Sequence, residues 1–101
     1  MADFVKVANV ADVAVGTGKC VTANGKEIAL FNVGGTFYAI DNTCLHRGGP
    51  LGEGELDGTV VTCPWHAWQY DVTTGVNTMD ESEKVERYDV KIEAGAVLVA
   101  V

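Results

Sequence analysis

Apolar and β-branched positions along this chain fall into short runs separated by turn dipeptides. The runs are FVKVANV (4–10), KCVTA (19–23), KEIALFNV (26–33), TFYAID (36–41), GTVVTC (58–63), AWQYDV (67–72), KVERYDVKIE (84–93) and AVLVAV (96–101). Short strands at this spacing predict an antiparallel sandwich or barrel. Asn24-Gly25, Gly34-Gly35 and Ala94-Gly95 stand between apolar runs. Each supplies a residue that tolerates φ > 0, as tight hairpin turns require, so three hairpins are expected. Only NVADVAVG (9–16) suggests something else: a turn or one helical turn around Asp12, with Gly16 letting the chain re-enter the sheet. DESEKVER (80–87) reads as a solvated loop entering a strand, not a binding tail. No internal repeat or low-complexity segment appears.

Residues 41–71 differ from their surroundings. Asp41, Asn42 and Thr43 end a strand, Gly48, Gly49 and Pro50 loosen and then fix a loop, and Pro64 stiffens a second one. Both histidines of the chain and two of its three cysteines lie here, as a CxH pair, Cys44 and His46, and a CxxH pair, Cys63 and His66, separated by sixteen residues. A lone pair is compatible with chance or with a buried, hydrogen-bonded histidine, but two pairs point to a metal. Structural zinc sites usually cluster like ligands, whereas each pair here offers one sulfur and one nitrogen; zinc remains the rival metal.

Composition narrows the class. A length of 101 residues fits one domain, residues 1–101, with no second independent core, and 48% hydrophobic against 21% charged residues is ordinary for a globular protein. Seven basic against fourteen acidic residues give a net charge of −7, which argues against nucleic acid and anionic membrane and favours a basic partner surface. The amino terminus has no charged leader with a long apolar run, and no stretch approaches a spanning helix, so a cytoplasmic protein is expected; a monomer is expected as well. Reduced thiols in that compartment suit a metal or catalytic role better than a disulfide framework. Cys20, in the alternating run KCVTA, is expected to pack in the core as a small hydrophobe.

The pattern CxH, sixteen residues, CxxH resembles the Rieske family of iron-sulfur proteins, and CLHRG with CPWHAWQYD looks especially like Rieske ferredoxins and the Rieske domains of ring-hydroxylating oxygenases. The resemblance implies an all-β, Rieske-type antiparallel β-sandwich with a small cluster-binding subdomain, about residues 41–71, formed by two loops. It also implies one [2Fe-2S] cluster per chain. Cys44 and Cys63 would hold the inner iron, while His46 and His66 hold the outer one near the surface, an arrangement that raises the potential above that of four-cysteine ferredoxins. Backbone N–H groups around Gly48 and Gly49 would approach the sulfides, and Trp65 and Trp68 either shield the cluster or serve as core. Arg47 either contacts a partner or pairs with Glu53, Glu55 or Asp57.

Departures from the high-potential members matter. Rieske proteins of respiratory and photosynthetic complexes carry a further cysteine in each loop, joined by a disulfide, and the matching positions here are Gly49 and Trp65. The serine that donates to a bridging sulfide is matched by Trp68, while the tyrosine that donates to a cluster cysteine is matched by Tyr70. An oxygenase of the family needs a further iron on two histidines and a carboxylate, but His46 and His66 are already used. There is also no GxGxxG stretch after a strand for a nicotinamide. The resemblance therefore implies a one-electron carrier between an NAD(P)H-dependent flavin reductase and a terminal oxygenase of aromatic catabolism, with transient, electrostatically steered contacts. Two alternatives are an accessory subunit like the small component of assimilatory nitrite reductases, and a redox-sensing module.

Overall fold

The computed structural model describes residues 4–42, 50–64 and 68–100. Among them ten strands form: β1 (Phe4–Asn9), β2 (Gly18–Ala23), β3 (Lys26–Val33), β4 (Thr36–Asp41), β5 (Glu55–Asp57), β6 (Val60–Thr62), β7 (Gln69–Asp71), β8 (Arg87–Tyr88), β9 (Val90–Glu93) and β10 (Ala96–Ala100). They make three sheets, with orders β1-β10-β9, β2-β3-β4-β8 and β5-β6-β7. Every pairing is antiparallel, as the strand pattern predicts.

The dipeptides that were expected to turn the chain do so. Asn24 and Gly25 (φ 50° and 76°), Gly34 and Gly35 (60° and 98°), and Ala94 and Gly95 (50° and 80°) all lie in the left-handed region. Positive φ at both central residues matches the right-handed twist of the flanking strands. The register confirms two-residue loops, with Ala23 opposite Lys26, Val33 opposite Thr36 and Glu93 opposite Ala96. Between β1 and β2 a 3-10 turn covers Val10–Asp12. The Gly16 N–H then donates to Asn32 O at 2.8 Å and delivers the chain to the sheet.

β3 explains the layering. Its central residues, Ile28 to Asn32, are all buried, and successive side chains point to opposite faces. Ile28 and Leu30, with Phe37 and Ala39 of β4, pack against Val97 and Val99 of β10 in one apolar cluster. Ala29 and Phe31, with Ile40 of β4, join Leu51, Val61, Cys63, Tyr70, Val72 and Val85 in a second. Neither core is independent, because β3 and β4 supply both. Each fully buried Val, Leu, Ile or Phe contributes about 1.5–3 kcal/mol.

Three expectations change. β5 lay outside the anticipated runs, although its turn into β6 is made by Gly58 at φ 63°. The run 84–93 is two strands, since β8 pairs with β4 and β9 with β10. Cys20 is exposed, not core: in β2 the inward positions are Val21 and Ala23, and the two-residue period turns Cys20 the other way. The acidic segment 80–86 is mostly exposed, as anticipated, but Val85 is buried and its N–H donates to Gly75 O at 2.8 Å.

Candidate metal centre

Of the four expected ligands, Cys63 lies within the described residues. Cys44, His46 and His66 lie outside them, as do Arg47, Gly48, Gly49 and Trp65. What the structure defines is the described ends of the two loops expected to carry the ligands.

The first loop leaves β4 after Asp41 and returns at Pro50, whose φ of −76° leads into a 3-10 turn, Leu51–Glu53. Its two ends are tied by Asn42. The Leu51 N–H donates to Asn42 O at 2.7 Å, and the Gly52 N–H donates to Asn42 Oδ1 at 2.8 Å. The exposed Cys20 thiol reaches the same Oδ1 at 3.2 Å. The second loop joins β6 to β7, and there the Cys63 N–H donates to Trp68 O at 2.7 Å.

Both loop bases meet in one place. Ile40 and Leu51 flank the first loop, Cys63 opens the second, and all three lie in the second apolar cluster, with Trp68 packed against it. Cys63 is 1% exposed and Tyr70 fully buried in the same cluster. Iron held by thiolate needs a sulfur sheltered from water, and Cys63 is buried in an apolar cluster to which the described ends of both loops contribute. The residues therefore fit a [2Fe-2S] group. Among the described residues no three His, Cys, Asp or Glu side chains converge on a rival metal site.

Beside the site, Glu53, Glu55 and Asp57 are exposed. With Lys19 and Cys20 they line an open groove of about 1020 Å3 between β2 and the segment that joins the first loop to β5. Partial desolvation of the Cys20 sulfur raises its thiol pKa above the ordinary value, so it is a protonated donor at neutral pH. From sequence Asn42 reads only as one of three residues that end a strand, and Gly52 carries no signal. Local pattern does not show that a carboxamide closes a loop.

Comparison with known proteins agrees with this architecture. The Rieske [2Fe-2S] domain model matches residues 3–89. The chain is 34% identical over 97 residues to the ferredoxin component of the naphthalene 1,2-dioxygenase system of Pseudomonas putida, covering 95% of this chain and 93% of that one. It superposes on the ferredoxin of carbazole 1,9a-dioxygenase from Nocardioides aromaticivorans IC177 with a TM-score of 0.90, at 29% identity and 98% coverage of both chains. It is also similar to a chain in a complex of reduced oxygenase and oxidised ferredoxin in carbazole 1,9a-dioxygenase, with a TM-score of 0.87, 34% identity, and coverage of 96% and 92%. The chain belongs to the Rieske [2Fe-2S] family, whose fold and iron-sulfur chemistry its sheets and buried Cys63 suit.

Proposed function

We propose that this chain is a one-electron carrier that holds one Rieske [2Fe-2S] cluster and serves a terminal oxygenase, with an NAD(P)H-dependent flavin reductase as its electron source. The observation that carries the proposal is that Leu51 and Cys63, which lie in separate chain segments next to the CxH and CxxH motifs in sequence, share one apolar cluster. Cys44 and Cys63 would bind one iron and His46 and His66 the other. The bound cluster supplies reversible uptake of a single electron.

The chain's own residues do the rest. The apolar floor of Leu51, Val61, Tyr70 and Trp68 excludes water beneath Cys63, and a low local dielectric strengthens hydrogen bonds toward thiolate sulfur. Glu53, Glu55 and Asp57 beside the loops offer a partner an acidic approach, in keeping with the net charge of −7. The similarity to the dioxygenase ferredoxins supports an oxygenase as the electron acceptor.

Electron paramagnetic resonance of the dithionite-reduced protein tests the cluster. The expected result is a rhombic Rieske-type signal with about two iron and two sulfide per chain. Replacing Cys44, His46, Cys63 or His66 should abolish it, and stoichiometric zinc without sulfide would refute the reading. Mixing reduced protein with an aromatic-ring dioxygenase tests the carrier role: reoxidation coupled to product supports it, and a complex formed without turnover favours a sensing module.

A further inference from the structure

The geometry points to Asn42 as the positioning residue of the first ligand loop: its carboxamide oxygen, shared by the Gly52 N–H and the Cys20 thiol, holds the loop in the shape that retains the cluster. This rests on the function proposed above.

Asn42 is 6% exposed and anchored on three sides. Its N–H donates to Glu27 O of β3 at 3.2 Å, its carbonyl accepts from Leu51, and its side-chain oxygen accepts from Gly52 and from Cys20 of β2. One residue thus joins two strands to the returning end of the loop. The fit is close. A Cβ added to Gly52 would lie 2.8 Å from Cys20 Sγ and 3.0 Å from Asn42 Oδ1, so position 52 admits no side chain while the three groups keep their places. Without the acceptor, the Gly52 N–H would be buried and unpaired, and the loop ends would separate more readily. Loosened ends would admit water and shift any backbone N–H groups directed at sulfur, which would change both cluster retention and potential.

A second buried asparagine gives the control. Asn32 donates through Nδ2 to Val13 O at 2.8 Å and accepts the Gly35 N–H through Oδ1 at 2.9 Å, so it also ties a turn to the sheet, but at the first loop of neither motif pair. The test uses the red-brown holoprotein with Asn42→Leu, Asn32→Leu, Cys20→Ala and Cys20→Ser. Decay of visible absorbance in a chelator gives cluster loss, voltammetry gives the midpoint, and circular dichroism gives Tm.

Asn42→Leu should lose its cluster about tenfold faster than the parent, with a shifted midpoint and altered g-values. Asn32→Leu should lower Tm while keeping the parental midpoint and a loss rate within about twofold. Cys20→Ala should speed loss roughly two- to threefold, and Cys20→Ser, which retains a donor, should restore the parental rate. If Asn42→Leu does not fold, the Cys20 pair decides by the same criterion. Parental loss rates and midpoints in both Asn42→Leu and Cys20→Ala, or equal acceleration in Asn32→Leu, would overturn the assignment while leaving the cluster proposal standing. A parent protein without iron and sulfide overturns both.

Discussion

The Tyr88 hydroxyl donates to Asp41 Oδ1 at 2.7 Å, and this bond fastens β8 to the end of β4 just before the first proposed ligand loop. The Asp41 N–H donates to Glu86 O at 2.9 Å, and the Glu86 N–H donates back to Asp41 Oδ2 at 3.3 Å. Asp41 and Asn42 therefore anchor the outgoing chain in succession, one to β8 and the other to β2 and β3. Tyr88→Phe should cost about 1–2 kcal/mol, the range between neutral and charge-assisted bonds, and lower Tm by roughly 5–10 °C.

The same bond sets an alkaline limit. Desolvation, followed by the bond to Asp41, raises the Tyr88 pKa well above its ordinary value of 10.0. A hydroxyl with a raised folded pKa stays protonated in the native state where the unfolded chain has already released its proton. Its contribution is complete below about pH 10 and fades as pH rises beyond that value. Urea midpoints from pH 8 to 11 should fall faster for the parent than for Tyr88→Phe above pH 10, and parallel curves would contradict this.

Ala94 is the first residue of the β9–β10 turn, at φ 50°. The left-handed region costs an L-residue with a Cβ about 1–2 kcal/mol, and asparagine is among the side chains that tolerate it best. The equivalent position of the β2–β3 turn, Asn24, has the same φ of 50°. Ala94→Asn should therefore stabilise the protein by about 0.5–1 kcal/mol and raise Tm by several degrees, with no change in the site. Thermal unfolding by circular dichroism checks it.

The hairpins were legible because φ > 0 is imposed locally, and Asn24-Gly25 and Gly34-Gly35 advertise it. β5 was not, since Glu55 and Asp57 are exposed and only Leu56 between them is half-buried; three residues give too little alternation to read. The break at Asp89 was hidden for the opposite reason, as strand character continues across it while the partner strand changes. Cys20 was misread although the period was available, because Val21 and Ala23 already claim the inward face. The identities of the four proposed ligands are legible in their spacing, whereas the shared floor beneath Leu51 and Cys63 depends on tertiary packing. Asn42 belongs with that floor: its partners Cys20 and Gly52 are remote or beyond the loop, and nothing in the adjoining residues names them.

Tyr70 is fully buried in the cluster that contains Cys63. If it plays the role its resemblance implies, donating to a cluster cysteine, Tyr70→Phe should lower the midpoint by about 20–60 mV, one hydrogen bond's worth for a one-electron couple. If Trp68 stands where the resemblance puts the serine donor, the parent midpoint should itself lie near the low end of the Rieske range of about −150 to +300 mV. Protein-film voltammetry at pH 7 measures both. A parent value near the top of that range would mean that donors outside the two loops control the cluster.

Exposed charge beside the loops should govern how fast partners meet. Two ferric ions, two sulfides and two thiolates sum to zero, so the oxidised holoprotein keeps a net charge of about −7, as in the bare sequence. Glu53, Glu55 and Asp57 are the exposed carboxylates on the segment between the motif pairs. Attraction to a basic partner face is screened over about 8–10 Å at physiological salt, so stopped-flow association with reductase or oxygenase should slow as salt rises. The triple change Glu53→Gln, Glu55→Gln and Asp57→Asn should reduce the low-salt rate roughly three- to tenfold and flatten its salt dependence, while leaving the midpoint and the spectrum nearly unchanged. Because screening acts on encounter and not on the docked state, dissociation should change less than association. A parent rate that is flat or rising with salt would contradict steering by this acidic segment.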